Sequence, residues 1–152
     1  MTVTTRSLPR VAPNVELTWQ SELFSAAPTM RNAGAARTRE RISPRAAFQE
    51  VLWGRATLVD IRPEVQRRAE GALPTSLTPL TIEHATLGSR LDPCGEARLP
   101  IASTELRVIV ICQEGRDSSV AAQTLGRLGV RHATDVIGGF AAWRSLGLPV
   151  AA

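Results

Sequence analysis

The stretch Arg107-Val-Ile-Val-Ile-Cys112-Gln-Glu-Gly-Arg-Asp117-Ser-Ser-Val-Ala-Ala-Gln-Thr-Leu-Gly126 decides the fold. Its apolar, β-branched start is the pattern of a strand buried on both faces. A short polar loop follows, with a single glycine, and Ser118 then opens a run of small and apolar residues at helical spacing. Strand, tight loop and helix start form the repeating unit of an α/β protein. The same unit carries chemistry. Backbone N–H groups at a helix start point at whatever occupies the preceding loop, and here the occupant is Cys112. The positive end of the helix dipole favours the thiolate, the nucleophilic form of cysteine.

Outward from this unit, the chain alternates strand and helix signals. Ser43-Pro44 fits an N-cap with proline at the first helical position, and Ala46, Ala47, Phe48, Val51 and Leu52 give that helix an apolar face up to Gly54. Residues 57–61 predict a short buried strand. Residues 64–70 predict a charged surface helix stopped by Gly71, with Arg67 and Arg68 on a solvated face. Residues 75–80, bracketed by Pro74 and Pro79, suggest a second short strand. Residues 81–106 suggest a helical stretch near 82–87 and then an irregular loop. Beyond the central unit, whose helix spans 118–128, come a strand at 133–137 and a helix at 140–146. Gly138-Gly139 reads as the turn between them, and Phe140 and Trp143 as core anchors. Alternation of this kind predicts a small, mostly parallel sheet with helices on both faces, and ligands then bind beyond the carboxyl ends of the strands.

Composition narrows the function. The 152 residues support one domain with an extension. All 18 basic residues are arginine, and the net charge of +4 comes from residues 1–45. From residue 46 onward acids and arginines balance. Residues 1–42 therefore read as a basic, flexible leader, in which residues 15–19 and Leu23-Phe24 stand out as apolar exceptions. Residues 43–152 read as the folded domain. A neutral domain without a basic, aromatic-studded face argues against nucleic acid as a partner. No apolar run is long enough to cross a bilayer and no secretion signal is apparent, so two reduced thiols in a cytoplasmic setting are expected. His84 and His132 lack metal-ligand spacing with either cysteine, so no metal is expected. Cys94, in a loop, reads as incidental rather than as a resolving thiol.

Four segments then become recognisable as a set. Leu58-Val-Asp-Ile-Arg62 resembles the early strand of rhodanese-like domains. Glu70-Gly-Ala-Leu-Pro74 resembles their Gly-His-Ile-Pro turn, with Ala72 at the histidine position. Val110-Ile-Cys112-Gln-Glu-Gly-Arg-Asp-Ser-Ser119 resembles their active-site loop, and Asp135 to Pro149 is similar to their closing motif. The resemblance covers about residues 43–150. It implies a sulfurtransferase in which Cys112 takes a sulfane sulfur from a small sulfur-containing anion such as thiosulfate and becomes a persulfide. A thiol or cyanide-like acceptor, a protein thiol included, then removes the outer sulfur. Neither metal nor organic cofactor is implied.

Residues Gln113, Glu114, Gly115, Arg116, Asp117 and Ser118 are the expected substrate-binding loop. Gly115 frees the backbone to turn, and Arg116 adds a charge attractive to anions. Glu114 and Asp117 oppose it and are expected to face solvent or bond loop amides. Asp60 and Arg62 are expected to be a structural pair near the site. Family members often carry Arg immediately before the Ser of the loop, where this chain has Asp117, a departure that bears on which donor is bound. The related phosphatases close a longer loop with Arg six positions after Cys, where this chain has Ser118. Two further functions fit the same residues: a non-catalytic persulfide-carrying or regulatory module, and a thiol redox or arsenate-reducing enzyme pairing Cys112 with Cys94.

Overall fold

A computed structural model describes residues 39–151. The leader up to residue 38, with its apolar exceptions, lies outside the described residues. The elements run α1 (Pro44–Leu52), β1 (Thr57–Asp60), α2 (Glu64–Glu70), a single 3₁₀ turn (Thr75–Leu77), β2 (Leu80–Thr81), α3 (His84–Leu91), β3 (Arg107–Ile111), α4 (Asp117–Arg127), β4 (His132–Asp135) and α5 (Gly139–Ser145).

The four strands form one parallel sheet in the order β2-β1-β3-β4. Strand β3 is central and in register with β1 through Leu58↔Ile109 and Asp60↔Ile111. Its side chains divide by period two. Val108 and Val110 join Leu87 and Leu91 of α3 and Ala121, Ala122 and Leu125 of α4 in one core. Ile109 and Ile111 join Ala47 and Val51 of α1 and Phe140 and Trp143 of α5 in the other. Helices therefore cover both faces, as the alternating pattern requires. Trp143 is wholly buried, donates from Nε1 to the Pro149 carbonyl at 2.9 Å, and meets the Phe48 ring edge-on.

Local signals explain most boundaries. Ser43 Oγ accepts the Ala46 N–H at 3.2 Å and Pro44 begins α1. The expected strand over 75–80 is corrected. Residues 75–77 make a 3₁₀ turn, Thr78 turns through a left-handed φ of 45°, and only Leu80 and Thr81 pair with β1. Prolines at 74 and 79 withhold two N–H donors, so no ladder can run through that interval. The helix placed near 82–87 extends instead from His84 to Leu91, because Leu87 and Leu91 both reach the core.

The chain joins the sheet before the expected start at Ser43. Ile42 bridges in parallel to Val136, donating its N–H to the Asp135 carbonyl at 3.0 Å and accepting from Ile137 at 2.8 Å.

Candidate active site

Cys112 directly follows β3 and is 4 % exposed. Three groups converge on its sulfur. The Gly115 N–H donates to Sγ at 3.1 Å and the Ser118 N–H at 3.3 Å, and the Ser118 hydroxyl oxygen lies 3.2 Å from Sγ. Ser118 is in the first turn of the eleven-residue α4, so the helix N-terminus also faces the sulfur. Donors fixed round one atom stabilise negative charge there.

The loop is built so that these amides can point inward. Gly115 has φ +88°, and a Cβ on it would lie 2.8 Å from the Gly138 nitrogen. The start of α5 closes against the same loop. The Phe140 and Ala141 N–H groups donate to the carbonyls of Cys112 and Gln113 at 2.8 and 2.9 Å. This approach needs Gly139, since a Cβ there would sit 2.4 Å from the Cys112 carbonyl oxygen. The Gly138-Gly139 pair is therefore both a turn and a contact surface.

Asp60 and Arg62 form a buried pair beside this loop. Arg62 Nε and Nη2 donate to the two carboxylate oxygens at 3.0 and 2.8 Å, and Nη2 also donates to the Gly71 carbonyl at 3.1 Å. The guanidinium lies 3.7 Å from the Phe140 ring centroid. Its Nη1 reaches Gln113 Oε1 at 3.4 Å. Arg62 thus links the end of β1, the end of α2, the start of α5 and the loop after Cys112.

In front of Cys112 opens a cleft of about 840 Å³. It lies where strand order reverses between β1 and β3, the usual ligand position in such sheets. Of the expected loop residues, Cys112, Gln113, Glu114, Arg116 and Asp117 line it, whereas Gly115 and Ser118 are buried behind. Glu114, Arg116 and Asp117 are all exposed. His84 also lines the cleft and is exposed. Glu64 and Glu83 complete a rim on which carboxylates outnumber cations. Cys94 is exposed after α3, and both cysteines are free thiols. His132 begins β4 and faces Glu105 at 3.7 Å.

A rhodanese-like domain model matches residues 45–146 of the chain. The chain belongs to the rhodanese-like family. Among curated relatives, the adenylyltransferase and sulfurtransferase MOCS3-2 of Zea mays is 34% identical over 86 residues, covering 57% of this chain and 17% of the relative. The adenylyltransferase and sulfurtransferase uba4 of Aspergillus terreus is 34% identical over 100 residues, covering 58% and 21%. The chain thus spans about a fifth of the length of these relatives. Among solved structures, the human single-domain sulfurtransferase TSTD1 is 26% identical with a TM-score of 0.55, covering 69% of this chain and 95% of that one. A Rhodopseudomonas palustris protein of unknown function, described as a possible tyrosine phosphatase, is 26% identical with a TM-score of 0.65, covering 73% and 83%. This rhodanese-like domain therefore has sulfurtransferases among its relatives. Among the described residues, no helix is long and apolar enough to cross a membrane.

Sequence reading missed three residues at the site: Arg39, Arg41 and Asp135. The buried carboxylate of Asp135 ends β4 and takes both arginines. A signal existed, because an aspartate closing a buried strand needs a cation nearby. The arginines themselves lie in a stretch whose composition matches a solvated leader.

Proposed function

We propose that the protein is a sulfurtransferase that carries sulfur as a persulfide on Cys112. The observation that supports this most is the convergence of two backbone N–H groups and a hydroxyl on Sγ. In the first step the Cys112 thiolate attacks the outer sulfur of a sulfane donor. With thiosulfate, the S–S bond breaks, sulfite leaves with the electron pair, and a Cys112 persulfide anion remains. In the second step an acceptor thiolate or cyanide attacks the terminal sulfur and the Cys112 thiolate is restored. This is covalent catalysis in two half-reactions. The oxidation states balance without a cofactor.

The cleft rim bears on the donor. Glu64, Glu83, Glu114 and Asp117 face the opening, and of the arginines lining it Arg62 is already neutralised by Asp60. Arg116 is left to attract a dianion. Thiosulfate in this reading is a usable but weak donor, and persulfides of thiols or proteins are better ones. The reading asks for a compartment that keeps Cys112 reduced, and a cytoplasmic setting meets that need. A phosphate ester would lack the bidentate arginine clamp, since Ser118 occupies that loop position.

The test is intact-mass measurement of the protein after incubation with thiosulfate or a thiol persulfide. One added sulfur atom mapping to Cys112, lost on adding cyanide with formation of thiocyanate, is expected. Cys112→Ser should abolish both. A persulfide that forms but never turns over would move the reading to a sulfur carrier. Arsenate reduction that requires both Cys94 and Cys112 would replace it with redox chemistry.

A further inference from the structure

The carboxylate of Asp135 is completely withdrawn from solvent. Its charge partners come from upstream of residue 45, where the family match begins. Arg39 Nη2 donates to Oδ1 at 2.7 Å, while Arg41 donates to Oδ2 from Nε at 3.0 Å and from Nη2 at 2.8 Å. The parallel bridge from Ile42 to Val136 fixes the backbone that presents them.

Both arginines go on to reach the reactive loop. Arg41 Nη2 donates to the Gly115 carbonyl at 2.8 Å, and Arg39 Nη2 donates to the Ser119 carbonyl at 3.0 Å. Gly115 and Ser118, the residue before Ser119, are the two that aim N–H groups at Cys112 Sγ. Position 115 has to be glycine, because its φ is +88° and a Cβ would meet backbone at 2.8 Å and Arg41 Nη2 at 3.2 Å. Glycine, however, is the residue least able to hold its own conformation. Some other group must restrain it, and Arg41 is in contact with its carbonyl.

We propose that Arg41, supported by Arg39, is a positioning residue: the chain Asp135–Arg41–Gly115 holds the amide cradle in place round the Cys112 sulfur. The planar fork of arginine suits this task, since one guanidinium spans a carboxylate and a carbonyl at fixed separation. The inference rests on Cys112 being the reacting sulfur of the proposed transfer. It concerns the cradle, which can be read without any transfer taking place.

The experiment uses the full chain with Arg41→Gln and Arg41→Lys. Each protein is treated with iodoacetamide at neutral pH, and alkylation of Cys112 is measured by mass spectrometry relative to the exposed Cys94 as an internal reference. Thermal melting is followed in parallel. In Arg41→Gln the Cys112/Cys94 ratio is expected to fall about tenfold, because the charge-assisted hydrogen bond to the Gly115 carbonyl is lost along with the two to Asp135. Melting should stay cooperative because Arg39 still pairs with Asp135. A merely structural role predicts the opposite sign, since loosening exposes a buried thiol and speeds its alkylation. An unchanged or raised ratio in folded Arg41→Gln overturns the proposal. Arg41→Lys keeps the charge but lacks the fork, so an intermediate ratio is expected. If Arg41→Gln does not fold, a wild-type ratio in Arg41→Lys overturns the proposal. Wild-type protein that alkylates readily but takes up no sulfur would defeat the transfer reading and leave this inference standing.

Discussion

Arg62 has no exposed side-chain surface, yet it borders the cleft. Burying a guanidinium is costly unless every donor finds a partner. Asp60, Gly71 and Gln113 supply the partners, and Phe140 supplies a ring face. Arg62→Met leaves the Asp60 carboxylate buried and unpaired, and a loss of about 3–5 kcal/mol is expected in urea denaturation. Replacing Asp60 and Arg62 together by apolar residues should cost less than the single change, because no orphan charge remains. At this scale the position of Cys112 was legible because an apolar, β-branched run ends just before it and a helical pattern of small residues starts six positions on. Asp60 and Arg62 were legible as a short-range pair. Arg41 was not, because nothing in Thr38-Arg-Glu-Arg-Ile42 distinguishes an arginine that latches a loop from one that faces water.

Two helix starts, those of α4 and α5, bond to the loop that follows Cys112. The first donates to sulfur and the second to the carbonyls of Cys112 and Gln113. Their separation is set by Gly139, whose φ is +62° and whose missing Cβ leaves room for the Cys112 carbonyl. Gly139→Ala is expected to lose about 1–3 kcal/mol from the left-handed backbone alone. The clash adds to that, and alkylation of Cys112 should change along with the melting temperature. Gly126→Ala is the matched control, because a Cβ there meets nothing and its φ is ordinary. The elements round this loop were legible from their periodicity and caps. Strand β2 was not: two residues paired on one edge leave too little pattern to read, and the flanking prolines marked its limits without showing which side of Pro79 would pair. The length of α3 was hidden for a similar reason, since Leu87 and Leu91 are the only side chains of that helix in the core.

For the whole molecule, the sheet order places β1 and β3 side by side, so the loops that follow them face each other across the cleft although about fifty positions separate them in the chain. The α/β class was readable because consistent alternation allows few arrangements. How the chain enters the sheet was not, since a single bridge at Ile42 leaves no periodic trace. That entry yields a prediction about truncation. Removing residues 1–38 should preserve cooperative melting and sulfur uptake. Removing residues 1–42 also deletes both partners of the buried Asp135 and should lower the melting temperature by several degrees and slow uptake, as paired calorimetry and mass measurements would show. The setting of Trp143 gives a convenient way to watch such changes. Its indole is sealed in the interior on a helix that starts at the glycines touching the reactive loop. With Trp19 and the exposed Trp53 replaced by Phe, the remaining emission should be blue-shifted in the native protein, and a shift toward the red would signal loosening near the sulfur without any attached dye.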